Sequence, residues 1–184
     1  MSIVRFATAN AVFEMFPFAR QKIATAPTDD PPLDFARNLI EKDKPAEAMA
    51  FCSYLLPRRE AVWWACKSVR AQLGDGSGRD LACLEAAEAW VKEPDFEHRA
   101  LAEAAGERAD PNDELTWLAR AAAWSGGALA IGNGARIAPP PELTPHAAQV
   151  AILLSLRYLK PAQQNLRLQA CVEEGIKLAE TGLQ

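Results

Sequence analysis

Residues that commonly carry chemistry are scarce in this 184-residue chain. It has two histidines, His98 and His146, and four cysteines, Cys52, Cys66, Cys83 and Cys171, none of them in a C-x-x-C pair. There is no H-E-x-x-H helix and no Cys/His cluster, which removes the common zinc signatures. Asp75-Gly-Ser-Gly-Arg-Asp80 lacks the twelve-residue ligand spacing of a calcium loop. Gly74-Asp-Gly-Ser-Gly78 has no Lys-Ser/Thr pair to reach phosphates, and Gly132-Asn-Gly134 does not open a helix. Both glycine clusters read as connectors.

Long apolar runs are missing too. The most apolar stretch, Ala147 to Leu156, is half the length of a bilayer span and is interrupted by Gln149 and Ser155. Arg5 and Glu14 break the apolar N-terminus, so no uncharged core of a secretory signal follows a basic start. No long basic stripe exists and the isoelectric point is near 5.3, which argues against nucleic acid as a partner. The cysteines sit among apolar residues, where a thiol acts as a small hydrophobe. The expectation is a cytoplasmic chain with no metal, no cofactor and no membrane span.

What is present is ordinary globular composition, 49% apolar and 24% charged, at a length suited to one domain. Helical signals recur almost throughout. Thr8 caps a short helix from Ala9 to Phe16; Leu33 to Asp43 and Pro45 to Leu56 follow. Pro57 suits a first helical turn and opens a helix to Leu73, on which Val62, Cys66, Val69 and Leu73 form one stripe. Trp64 heads a second stripe with Ala61, Ser68 and Ala71. Two exposed Trp side chains would present roughly 300–500 Å² of apolar surface. That helix is therefore sandwiched in the fold or held for a partner.

Asp80 is placed as the cap of the next helix, which Pro94 stops. Asp95 starts an Ala-rich helix to Arg108, with His98 exposed in its first turn. Asp110-Pro111 and Thr144-Pro145 read as caps followed by first-turn prolines, the second putting His146 in solvent. Pro161 opens the last helix. The fold class is all-α: a compact single-domain array, residues 1–184, of seven to nine helices. Long connecting loops cover 24–32 and the Gly/Pro-rich 126–142. Asn133-Gly134 could turn a hairpin over 128–138, but Pro139-Pro-Pro141 favours extended, unpaired backbone.

Charge is uneven. From Asp80 to Glu114 there are 11 acidic residues and three basic ones, net −8, while the rest carries 13 and 17, net +4. The segment is either two solvated helix faces or an acidic docking face for a basic partner. Glu85, Glu88 and Glu103 represent that face. Four of seven phenylalanines, Phe6, Phe13, Phe16 and Phe18, crowd the first 18 residues. That segment either closes the core or inserts into a partner or a second copy of the chain. Arg58 and Arg59 lie one turn before Trp63 and Trp64, close enough to stack. The candidate partner-binding residues are thus Phe13, Phe16, Phe18, Arg58, Arg59, Trp63, Trp64, Glu85, Glu88 and Glu103.

Leu55-Leu-Pro-Arg-Arg-Glu-Ala-Val-Trp-Trp-Ala-Cys66 resembles the hallmark of an uncharacterised bacterial helical family, a domain of unknown function. Val4-Arg-Phe-Ala-Thr8, Ala89-Trp-Val91 with Pro94, and Ala123-Trp-Ser-Gly-Gly127 extend the similarity over most of the chain. Genes of that family are similar in setting to accessory genes of type VI secretion clusters. The resemblance transfers no catalytic residue. Together these readings predict a non-enzymatic interaction protein: an adaptor, chaperone or accessory factor of a type VI secretion system. The alternatives are an immunity-type protein that plugs a toxin, an enzyme with an unfamiliar helical site, or a small-ligand carrier. Self-association is open under each.

Overall fold

A computed structural model describes residues 2–74, 78–130 and 135–183. Among them the chain is all-α, with nine α-helices: α1 (Ala9–Met15), α2 (Pro32–Glu41), α3 (Pro45–Leu55), α4 (Arg58–Arg70), α5 (Ala82–Lys92), α6 (Phe96–Arg108), α7 (Glu114–Ala123), α8 (Leu143–Leu156) and α9 (Pro161–Thr181). A 3-10 turn, Pro17–Gln21, follows α1. Contacts cluster into two units. The first comprises Met1–Glu60 and Leu156–Gln184, the second Ala61–Ser155.

In the first unit α3 packs on α9 and on α2. Every residue of α3 from Ala48 to Leu55 is buried, so this helix is apolar all round and central. The N-terminal aromatics dock here. Phe13 stacks on Phe51 at 5.9 Å and meets Phe35 edge-on at 6.0 Å, while Phe16 lies 5.2 Å from Tyr54. Each such ring contributes about 2–3 kcal/mol by leaving water. The connector from residue 24 to 31 is pinned at both ends. Its Thr28 and Asp30 carbonyls accept the Asn10 and Ala9 N–H groups at the start of α1. Glu47 accepts the Thr25 N–H at 2.8 Å, and Lys44 donates to the Thr25 hydroxyl at 2.7 Å. Burial opposes ionisation of Glu47, but the hydrogen bonds from Thr25 together with the hydrogen bond and charge of Lys44 outweigh it and hold the carboxyl below its ordinary range.

In the second unit α5, α6 and α7 pack pairwise. The inward set of α5 is Cys83, Leu84, Ala87, Trp90 and Val91, as its periodicity predicts. Gly106 lets α6 approach α7 closely: a Cβ there would stand 3.3 Å from Arg120 Cγ and 3.4 Å from Ala119 Cβ. On α4, Ala61, Val62, Trp64, Ala65, Cys66 and Val69 are all buried, so both stripes start in the interior, but toward the C-terminal end Ser68 and Leu73 are half-buried and Ala71 is exposed. Trp63 remains half-buried.

Several expected boundaries move. Pro57 precedes α4, which begins at Arg58. The cap of α7 is Asp113, whose carboxylate accepts the Leu115 N–H at 2.8 Å. Asp110 instead closes a local turn by accepting the Asn112 N–H at 2.9 Å. Asp80 accepts the Ala82 N–H at 3.0 Å but stands one residue before the start position of α5, Leu81. Helix α8 begins at Leu143, so Thr144 is inside it rather than capping it, and its buried hydroxyl has no hydrogen-bond partner. Within 126–142 a two-residue antiparallel ladder forms, Leu129 opposite Ile137 and Ala130 opposite Arg136. Backbone pairing thus prevails over the expected unpaired backbone. The Asn133-Gly134 turn lies outside the described residues.

Candidate protein-docking face

Helix α6 owes its start to Asp95. The carboxylate accepts the His98 N–H at 2.8 Å and lies 2.9 Å from His98 Nδ1. Those two bonds, the backbone one first, hold the Asp95 carboxyl below its usual range. His98 is therefore half-buried against its own cap, not fully in solvent as expected.

From that cap α6 runs with apolar residues on both sides. Ala102 and Gly106 face inward. Phe96 and Leu101 face out, 71% and 62% exposed, with Ala100 and Ala104 half-buried between them. An exposed Phe and Leu on one helix is the informative case, since a helix needs only one apolar side to join a core. Around them stand the exposed carboxylates of Glu93, Asp95, Glu97 and Glu107 and the half-buried Glu103. Around the helix Phe96 and Leu101 stand about 140° apart, with Ala100, Ala104, Glu97 and Glu107 between them, so apolar and acidic side chains are interspersed on the outward side.

Glu93, Asp95 and His98 bring potential ligand atoms within 4.8 Å of one another. They are the residues able to hold a cation among those described, although Asp95 is already spent on its cap. The four cysteines are free and buried, and burial pushes the Cys52, Cys66 and Cys83 thiols up, away from nucleophilic thiolate.

The residues expected to bind partners divide sharply. Phe13 and Phe16 are buried in the aromatic core of the first unit and offer no docking surface. Phe18 is 55% exposed. Trp64 is 2% exposed and belongs to the interior. Arg58, Arg59 and Trp63 are half-buried, and both arginines are engaged by neighbours. Glu85 is exposed on α5. Glu88 is tied to Arg70 by two parallel bonds, 2.8 Å to Nε and 2.7 Å to Nη2, so its charge is committed. Glu103 alone of the three sits on α6.

An Arg–Trp stack does occur, at Arg120 over Trp117, 4.9 Å from the ring centroid. Trp117 also donates its Nε1–H to the Pro111 carbonyl and meets Trp124 and His146 edge-on at 6.2 and 6.3 Å. His146 is thus half-buried against a Trp rather than in solvent. Trp117 thus links α7 to the start of α8 through His146. Sequence reasoning missed Phe96 and Leu101. Their signal was an Ala-rich helix with apolar residues at too many angles for one buried side.

No helix among the described residues is long and apolar enough to cross a membrane. No curated protein and no solved structure matches the chain. A family model does match, over residues 35–179, from α2 to nearly the end of α9, and by that match the chain belongs to a family of unknown function, DUF6931.

Proposed function

We propose that the protein is a non-enzymatic interaction module, and that the outer face of α6 receives a basic amphipathic helix of another protein. The observation that carries this is the exposure of Phe96 and Leu101 on a helix whose outward side also carries Glu97 and Glu107. An amphipathic helix with a Lys/Arg-flanked apolar stripe complements both features at once. The exposed apolar side chains supply affinity on closing, and the carboxylates among them supply steering and orientation. The net charge of −8 between Asp80 and Glu114 extends that attraction beyond the contact itself.

A cytoplasmic setting, read from the charged N-terminus and the cysteines set among apolar residues, and a partner within a type VI secretion apparatus, which rests on the family resemblance, are the finer parts of this reading. The test is copurification of tagged protein from cells that express it naturally, beside Phe96→Ser/Leu101→Ser and Glu97→Lys/Glu103→Lys variants with unchanged circular dichroism. Loss of one stoichiometric partner in both variants supports the face. Equal recovery of every partner by the double serine variant sinks it. The identity of the captured protein, a secretion component or a toxin, decides between adaptor and immunity roles.

A further inference from the structure

We propose that the turn between α8 and α9 of one copy docks on the outward side of α6 of a second copy, so that the protein associates weakly head to tail. The inference rests on the docking reading for the α6 side. It adds a second surface, an occupant and a competition, since a foreign segment must displace the neighbouring copy.

The turn is a braced, cationic tip. Gln164 donates its side-chain amide to the carbonyls of Leu156 and Leu159 at 3.2 and 2.9 Å, and the Leu159 N–H donates to the Leu156 carbonyl at 2.9 Å. On this closed turn Arg157, Tyr158 and Lys160 are all exposed. Tyr158 is 86% exposed, more than any other large apolar side chain among the described residues. The Arg157 guanidinium lies over its ring, 4.6 Å from the centroid. A tyrosine this exposed buries little area against its own chain, and Tyr beside Arg is a composition that anchors interfaces.

Charge determines what the tip fits. From Leu143 to Val172 there are three basic residues, Arg157, Lys160 and Arg167, and no acidic one. Lys160 is the N-cap of α9, and the first turn of that helix carries no acid. A cation therefore stands at the positive end of the helix dipole, an arrangement that a carboxylate brought from outside relieves. Exposed apolar side chains among carboxylates are what α6 presents. Two small residues, Ala100 and Ala104, lie around that helix between Phe96 and Leu101 and leave room for a flat ring. Glu97, Glu103 and Glu107 against Arg108 give this side three negative charges and one positive, net −2, and Arg157 with Lys160 gives the tip +2. Tyr158 seats over the two alanines, and the cations that flank it in sequence meet the carboxylates.

The two surfaces differ, so the contact is heterologous: each bound copy still offers one surface of each kind, and association runs on past a pair. One helix side against one turn falls below the roughly 1,200 Å² of a standard interface, which places the dissociation constant at about 0.1–1 mM.

Sedimentation equilibrium of the full chain tests this. The weight-average mass of the wild type should rise above that of a monomer between about 0.05 and about 1 mM protein at low salt, and fall back in about 0.5 M sodium chloride. Two variants of unchanged circular dichroism should each stay monomeric. Phe96→Ser/Leu101→Ser spoils α6, and Tyr158→Ser/Lys160→Ser spoils the tip while keeping the Gln164 bonds. Glu97→Lys/Glu107→Lys takes the place of the first if its serines unfold the helix. Mixing the two variants leaves one intact α6 and one intact tip, so the mixture should associate and stop at a 1:1 pair. A monomeric wild type, association that survives either double variant, or a mixture that stays monomeric overturns the proposal. An excess of a synthetic Lys/Leu amphipathic helix should return the wild type to monomers; peptide binding without dispersal overturns the shared site. A peptide that does not bind counts against the docking reading alone, and the mixture then judges the head-to-tail contact by itself.

Discussion

Replacing Arg79 with alanine should destabilise the second unit by about 2 kcal/mol, and the greater part should come from Glu114 rather than from the lost attraction to Asp113. Arg79 forks between the two acids, Nη1 to Glu114 at 2.7 Å and Nη2 to Asp113 at 2.9 Å. Arg79 and Asp113 side chains are each 37% exposed, and a pair that wet is worth at most about 1 kcal/mol. The Glu114 side chain is only 7% exposed, and stripping a buried carboxylate of every partner costs about 3–5 kcal/mol, an upper bound here because Glu114 keeps a contact besides Arg79. Two effects reduce that figure. Water can enter where the half-exposed Arg79 stood, and Glu114 opens α7, whose N-terminal dipole favours an anion by about 0.3–1 kcal/mol. The remainder is about 2 kcal/mol, roughly a thirtyfold change in the unfolding equilibrium.

All five tryptophans, at 63, 64, 90, 117 and 124, fall within Ala61–Ser155, so indole fluorescence during urea unfolding reports that unit. With a slope near 1–2 kcal/mol per molar urea, Arg79→Ala should lower the midpoint by about 1–2 M. Asp113→Asn keeps its oxygen for the Leu115 N–H and should cost less than about 0.5–1 kcal/mol. Glu114→Gln removes the buried charge, so adding it to Arg79→Ala should recover about 1 kcal/mol. If Arg79→Ala costs no more than Asp113→Asn, or if the double variant is no better than Arg79→Ala, the buried-charge reasoning is wrong.

Thr144→Val replaces a buried hydroxyl that has no partner with a methyl of similar size, and should leave stability unchanged or raise it by up to about 1 kcal/mol in thermal melts; a loss beyond about 1 kcal/mol would show that the hydroxyl is bonded in solution. Asp95 has a carboxyl pKa lowered by its bonds to His98, so its capping contribution is complete above the ordinary carboxylate range and fades as pH falls through the lowered value. Exchange-corrected protection of the His98 amide should therefore drop between about pH 5 and pH 3 in the wild type, and an Asp95→Ala variant should show the lower protection at every pH. Protection independent of pH in the wild type would remove the ionised cap.

Much of the helix pattern was legible because its signals are local. Pro45, Pro161 and Asp95 open α3, α9 and α6 where the sequence places them. Capping became illegible where candidates crowd together. Asp110 and Asp113 are three residues apart, and only backbone direction decides which carboxylate meets the first N–H of α7. Thr144-Pro145 has the composition of a cap, but the helix starts a residue earlier at Leu143. Among the phenylalanines, the 3-10 turn at Pro17 shifts the helical phase, which leaves Phe18 outside while Phe13 and Phe16 go in.

The proposed docking face was the least legible part. Glu88 has the same local appearance as Glu85, and its commitment depends on Arg70, 18 residues away on another helix. Arg99 reads as an ordinary surface cation until the turn after α7 brings Gly127 against it. Such assignments depend on long-range partners, which periodicity does not encode.

The first unit is discontinuous: residues 61–155 interrupt it, and α3 finds its main neighbour, α9, only after that interruption. During synthesis, the largely buried α3 must wait for more than a hundred residues before the helix that covers it exists. The second unit, whose α5, α6 and α7 are consecutive, has low contact order and can assemble as it emerges. An unfinished chain would thus hold a formed centre beside an open aromatic N-terminal third, and that exposed third, rather than the acidic helices, is where a nascent chain would need protection from aggregation.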